Sequence, residues 1–150
     1  MTIGYEGIDL DRFFCLLQAG GVDTIMDVRQ NPFSRKKGFS KNALATAACE
    51  RGFGYVHRPE FGCPRTIRDD YRRDGDWAHY TARFLSHLDT LDAPILLLAR
   101  QALTSRCCLL CFEADPALCH RSFVAARVAE TADAPLNVIH LGVTDRVPTA

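Results

Sequence analysis

The stretch Cys107–Arg121 constrains this chain more than any other. It opens as an unbroken apolar run, Cys107 to Phe112, with the length and continuity of a strand buried on both faces. Polar residues follow at once: Glu113, Asp115, Pro116. Asp before Pro is a helix-start signal, with Asp as N-cap and Pro at the first helical position. The pattern predicts a helix from Pro116 to about Thr131, with Cys119, His120 and Arg121 in or just after its first turn. A buried strand feeding a helix start belongs to an α/β sheet, and open sheets of that class take ligands at the carboxyl edge of their strands.

The rest of the chain fits the same plan. Residues 1–4 read as a first strand, and Leu10, Phe13, Phe14 and Leu17 form a helical stripe over Ile8–Ala19, with Asp9 as cap and Gly20-Gly21 as stop. Val22–Val28 reads as a second strand, so the three pieces make a βαβ unit with parallel strands. Arg29–Lys41 is a basic loop, Ser40 caps a helix to Arg51, and Phe53–His57 is a third strand. Arg58–Gly75 reads as a long irregular connection, which at that length marks a functional or a disordered loop. Tyr80, Phe84, Leu88 and Leu91 predict an amphipathic helix over Trp77–Leu91; a short helix follows from Pro94 to Leu103, and a last strand spans Leu136–Leu141. Residues 144–150 read as a flexible tail. The expectation is a single α/β domain over 1–150: a three-layer α/β/α stack around a mainly parallel sheet of about five strands.

Charge bounds the partners. Eighteen basic and eighteen acidic side chains give zero net charge, which excludes a histone-like coat but permits a local basic cleft. No apolar run approaches the roughly 20 residues of a membrane span, and Met1–Gly7 lacks the basic and apolar regions of a signal peptide. The expected setting is the cytoplasm, with no membrane partner. There the seven cysteines stay reduced, and at least five should be core, Cys15 and Cys49 among those in apolar surroundings.

Parallel strands open all their following loops on one side. Tyr5 and Glu6 follow the first strand; Arg29, Asn31, Ser34, Arg35, Lys36 and Lys37 follow the second; His57, Arg58, Arg65 and Arg68 follow the third; Glu113, Asp115, Cys119, His120 and Arg121 follow the fourth. Arginines beside a helix start offer bidentate donors, free amides and a positive dipole end, which suits a phosphate or carboxylate. The structural alternative is that Arg29 and Arg121 pair with Glu6, Asp27, Glu113 or Asp115 and only hold loops. Cys119 near a helix start and beside His120 is a candidate nucleophile with a lowered pKa, opposed by Asp115; His120 is a candidate general acid or base. Its structural counterpart is a half-buried thiol, and for His120 a ring packed on a carbonyl. The basic run around Arg35, between Phe33 and Phe39, could meet nucleic-acid phosphates, or be a solvated loop.

A metal is not expected. Cys108-Leu-Leu-Cys111 has a zinc-knuckle spacer, but in a strand these two side chains face opposite ways, and Cys119, His120 and His57 would meet only through the tertiary fold. No cysteine has an arginine six positions on, and the phosphate-loop, dinucleotide-loop and nucleophile-elbow glycine motifs are missing.

Taken in order, Thr2-Ile-Gly-Tyr-Glu-Gly7, Asp27-Val-Arg29, Pro32-Phe-Ser-Arg35 with Gly38-Phe-Ser-Lys41, Gly54-Tyr-Val-His57, Pro64 with Arg65, Cys111-x-Glu113 and Cys119-His-Arg121 resemble the family called domain of unknown function 488. The resemblance runs from Thr2 to about Arg127 and is specific as an ordered set. It implies an α/β fold and points to Tyr5, Glu6, Arg29, Arg35, Lys41, His57, Glu113, Cys119, His120 and Arg121. Phe61-Gly-Cys-Pro64 departs from the family's Leu-Gly-x-Pro, which bears on ligand shape rather than on the fold.

Three functional readings follow. The first is an enzyme acting on a phosphate-bearing or otherwise anionic substrate, a nucleotide or nucleic-acid end included. Arg29, Arg35 and Arg121 would hold the anion, with Tyr5, Glu6, Lys41, His57 and Arg65 around it and Glu113, Cys119 and His120 handling protons or attack. The second is a non-catalytic module binding a nucleotide or nucleic acid with the same residues. The third is a structural or interaction protein whose polar cluster is an internal salt-bridge network. None calls for a cofactor.

Overall fold

The computed structural model describes residues 1–143; the expected tail lies outside the described residues. Five parallel strands form one sheet: β1 Thr2–Gly4, β2 Thr24–Asp27, β3 Gly54–His57, β4 Cys107–Cys111 and β5 His140–Leu141, in the order β3-β2-β4-β1-β5. The register sets Gly4 opposite Cys111 and Asp27 opposite Leu110, so β1, β2 and β4 end level with one another. Both faces of the sheet are covered, as the continuous apolar run of β4 requires. Alternation divides that run. Cys108 and Leu110 join Ile3 and Ile25 under α1 (Leu10–Ala19) and α2 (Lys41–Glu50), against Phe13, Phe14, Leu17 and Leu44. Cys107 and Leu109 join Met26 under the helices of the other face, against Phe84, Leu98 and Val124. Each fully buried Leu or Phe contributes about 1.5–3 kcal/mol. The expected three-layer stack is the observed one.

The chain runs from β1 through α1 to β2, through α2 to β3, and then reverses direction across the sheet. α3 (Arg65–Asp74), α4 (Trp77–Leu88) and α5 (Asp92–Thr104) lie between β3 and β4, and α6 (His120–Thr131) follows β4. β4 thus lies between β1 and β2, where connections leave to opposite faces, and a crevice opens at that point.

Several local readings change. Arg58–Gly75 is not irregular: a 3-10 turn, Pro59–Phe61, leads into α3, which Gly75 stops in a left-handed conformation (φ 67°). α3 is short of apolar residues because its apolar contacts with the body run through Ile67 and Tyr71; Asp70 pairs with Arg83 of α4, and Arg65–Asp69, Arg72–Asp69 and Arg73–Asp70 pairs lace its outside. Pro116 starts a 3-10 turn ending at Leu118, with Asp115 accepting from the Ala117 amide; Cys119 is extended, and α6 begins at His120. β5 is two residues rather than six, because short β1 offers only Thr2 and Ile3 to pair with it. The Ser40 hydroxyl does not cap α2; it bonds Ser34 instead. Five of the seven cysteines are buried, whereas Cys15 and Cys49 are exposed on the outer sides of their helices.

Candidate functional site at the carboxyl edge of the sheet

At the end of β2, Asp27 is fully buried and Arg29 is 6 % exposed. The guanidinium grips the carboxylate with two bonds, Nε to Oδ1 at 2.8 Å and Nη2 to Oδ2 at 2.6 Å, the fork geometry that arginine supplies and lysine cannot. Arg29 Nη1 donates to the Tyr5 hydroxyl at 3.1 Å and to the Phe39 carbonyl at 2.9 Å, and the Tyr55 hydroxyl donates to Asp27 Oδ2. Burial alone would ease Arg29 towards neutrality, but Asp27 and then Tyr5 hold it charged and push its pKa up. Burial, then the Asp27 bond, keep Tyr55 a phenol with a raised pKa. The Tyr5 ring stacks on Phe39 at 4.4 Å.

At the end of β4 the chain folds back over β1. A Cβ on Gly4 would meet the Glu113 carbonyl oxygen at 1.8 Å, so only glycine admits this crossing. The crossing aims Glu113 Oε2 at two thiols: it accepts from Cys111 Sγ at 3.2 Å and from Cys119 Sγ at 3.1 Å. His120, 6 % exposed, sets Nε2 at 3.0 Å from the Val28 carbonyl. A carbonyl only accepts, so Nε2 carries the hydrogen. Cys111 Sγ lies beside the ring, 3.7 Å from Nδ1 and 4.0 Å from Nε2. Burial would raise the Glu113 pKa; hydrogen bonds from Cys119, its own amide and Cys111, with the nearby His120, lower it. Burial opposes the His120 imidazolium, yet Cys119, the Val28 carbonyl and Glu113 raise its pKa on balance. Burial and Cys111 push the Cys119 thiol far up. The lowered thiol pKa expected at a helix start is therefore reversed, because Cys119 is sealed against a carboxylate and a second thiol.

Between these two ends lies a cavity of about 720 Å³, within the range of small-molecule sites. Its lining carries five cations, Arg29, Arg35, Lys36, Arg68 and Arg72, against one carboxylate, Glu113. Arg68 comes from α3, whose approach depends on a second glycine: a Cβ on Gly62 would meet the Gln30 amide nitrogen at 2.3 Å. Arg68 Nη2 donates to Gln30 Oε1, while its Nε is buried and has no partner among the described residues. Aromatic rings complete the wall: Phe33 and Phe112 are 69 % and 44 % exposed, and Trp77 stacks on Tyr80 at 4.7 Å. A smaller, mainly apolar cleft of about 220 Å³ lies at the opposite edge beside Met1, Leu98 and Ile139.

Of the residues singled out from sequence, Tyr5, Arg29, Arg35, Glu113 and His120 line the cavity. Six are not among its lining residues. Glu6 is exposed and accepts the Ala114 amide. Lys41 is exposed at the start of α2, and Arg65 is exposed and paired with Asp69. His57 holds its Nε2 at 2.8 Å from the Arg29 carbonyl. Cys119 lies behind Glu113. Arg121 is fully buried and donates to the Glu113 and Ala114 carbonyls and to Thr2 Oγ1. Trp77, Tyr71 and Arg72 join the wall without having been read as site residues. The signal was available: Ile67 and Tyr71 at i, i+4, flanked by Pro64 and Gly75, mark a short helix that carries Arg68 and Arg72 on its turns. Cys119 and His120 do come together with a third ligand type, but it is Cys111, not His57 or Cys108: the donor atoms of Cys111, Cys119 and His120 lie within 4.8 Å of one another.

A family model described as "Domain of unknown function DUF488" covers residues 9–128. No curated protein and no solved structure matches. Among the described residues, no helix is long and apolar enough to cross a membrane.

Proposed function

The chain belongs to the DUF488 family, and since that membership names no activity, we propose a function from the cavity itself: the protein binds an anionic, phosphate-bearing ligand of nucleotide type at the carboxyl edge of its sheet. The observation that carries this reading is Arg68. A guanidinium nitrogen buried without a partner costs about 1–3 kcal/mol, and this one belongs to a side chain that lines a cavity whose charged lining is five to one cationic. Turned towards the cavity, it would be satisfied by a phosphate oxygen. Arg35, exposed on the facing loop and in no ion pair among the described residues, would take a second oxygen. Phe33 and Phe112 offer exposed rings on which a base can stack. Arg29 contributes positive potential more than contacts, because Asp27, Tyr5 and Phe39 already engage most of its donors.

Binding is the core of the reading. Turnover of the bound ligand would fall to Glu113 and His120, the proton-carrying groups on the wall. Titration calorimetry with a nucleoside monophosphate, with inorganic phosphate and with a short oligonucleotide tests it. Binding of at least one probe is expected. Arg68→Ala and Arg35→Ala should each weaken it about 10- to 100-fold, the value of one charge-assisted hydrogen bond, with unfolding midpoints no lower than that of the wild type. Oligonucleotide binding with a steep salt slope would select the nucleic-acid form. No binding by any of the three probes, or binding that both variants leave unchanged, would overturn the reading.

A further inference from the structure

We propose that Cys111, Cys119 and His120, with Glu113 as fourth donor, form a binding site for a thiophilic divalent metal ion, zinc being the best fit. The argument does not use the anion reading and stands or falls without it.

The donor set is the first ground. Two thiol sulfurs, one imidazole nitrogen and one carboxylate oxygen is a ligand combination that zinc takes in tetrahedral form. The spacing is the second. Zinc–sulfur bonds of about 2.3 Å and zinc–nitrogen bonds of about 2.0–2.1 Å at tetrahedral angles set nitrogen and sulfur about 3.6 Å apart. His120 Nδ1 lies 3.7 Å from Cys111 Sγ, and the donor atoms of the two cysteines and the histidine all fall within 4.8 Å of one another. Glu113 Oε2 touches both sulfurs, at 3.2 and 3.1 Å, so a few tenths of an ångström of spreading would admit the ion.

The surroundings of the ring are the third. Metal-ligating histidines hold their other nitrogen on a carbonyl or carboxylate, which fixes the tautomer. The Val28 carbonyl does this for Nε2, leaving Nδ1 as the nitrogen free to ligate; Cys111 Sγ lies 3.7 Å from Nδ1 and 4.0 Å from Nε2, so a modest turn of the ring would aim Nδ1 at the ion. The exchange also balances: the incoming dication replaces the two S–H protons, which leave to solvent, so local net charge is unchanged beside a carboxylate that stays ionised. An entry path exists, because Cys111, Glu113 and His120 line the cavity although the donors are buried.

Cobalt(II), a spectroscopic stand-in for zinc, tests the site. Full-length protein, reduced and stripped with a chelator, is titrated with cobalt and then with zinc. The expected result is one ion per chain, a thiolate-to-cobalt charge-transfer band, strong visible bands of tetrahedral cobalt, and loss of both on adding zinc. Cys119→Ser and His120→Asn should weaken binding at least about 100-fold, on the scale of losing a metal ligand or its support, and Glu113→Gln, on a partly exposed residue, more modestly. Exposed Cys15→Ser should change nothing. Should the buried-site variants fail to fold, alkylation of the wild type decides: zinc must protect two thiols, mapped to Cys111 and Cys119. A missing charge-transfer band in protein shown to be reduced would overturn the proposal. So would a band unchanged in Glu113→Gln together with protection mapping to other cysteines, or a Cys111–Cys119 disulfide that persists in reductant.

Discussion

The end of β2 and the start of α6 each bury an arginine at the same edge of the sheet, and they hold it by opposite means. Arg29 is neutralised by a carboxylate, Asp27, and faces the cavity. Among the described residues Arg121 meets no carboxylate; backbone carbonyls and Thr2 Oγ1 take its donors, and it is fully sealed. The first is a charge pair whose guanidinium end lines the cavity. The second is a fastener between the β4–α6 connection and β1. An arginine near a helix start is thus read by what its donors touch, not by where the chain places it.

The sharpest way to break the contrast is Arg29→Met. It strands the Asp27 charge in the interior and should cost about 3–5 kcal/mol, read as a fall in the urea midpoint. Adding Asp27→Asn should restore at least half, since charge and not volume is the loss; no restoration would mean that Arg29 acts by packing. Arg121→Met should cost less, about 2–4 kcal/mol, from carbonyls left without donors. A second change at Asp27 should not rescue it. If it does, the two arginines share one network. Next comes Tyr55→Phe, which removes one donor to Asp27 and should cost about 1.5 kcal/mol. The folded pKa of Tyr55 is raised, so its contribution is complete below the ordinary tyrosine value of 10.0 and is lost as pH rises through the folded value. The variant should therefore unfold less steeply than wild type on raising the pH above that point. Smallest is Arg65→Ala: the pair with Asp69 is exposed, 83 % on the arginine side, and its loss should stay within about 0.5 kcal/mol.

The fold was legible because β4 announces itself. Six apolar residues ending at Glu113 can only be a strand between two helix layers, and the β1–α1–β2 unit fixes the strand direction. α3 was faint rather than silent: a helix with two inward apolar residues shows one i, i+4 pair, Ile67 and Tyr71, and only the flanking Pro64 and Gly75 mark its ends. The cavity was legible as an address: Tyr5, Arg29, Arg35, Glu113 and His120 all line it. What sequence could not separate was inward from outward among neighbours. Cys119, His120 and Arg121 are consecutive, yet they reach Glu113 Oε2, the Val28 carbonyl and the Glu113 carbonyl respectively. The extended backbone of Cys119, one residue before α6, sends them apart, and spacing alone does not encode it.

Gly4 has a reach out of proportion to its size. A methyl group there would lift the Glu113 backbone off β1, and that one segment carries both the carboxylate between the sulfurs and a carbonyl that anchors Arg121. The smallest side chain in the molecule, lacking any functional group of its own, is the fulcrum on which chemistry and cohesion at this edge are jointly balanced.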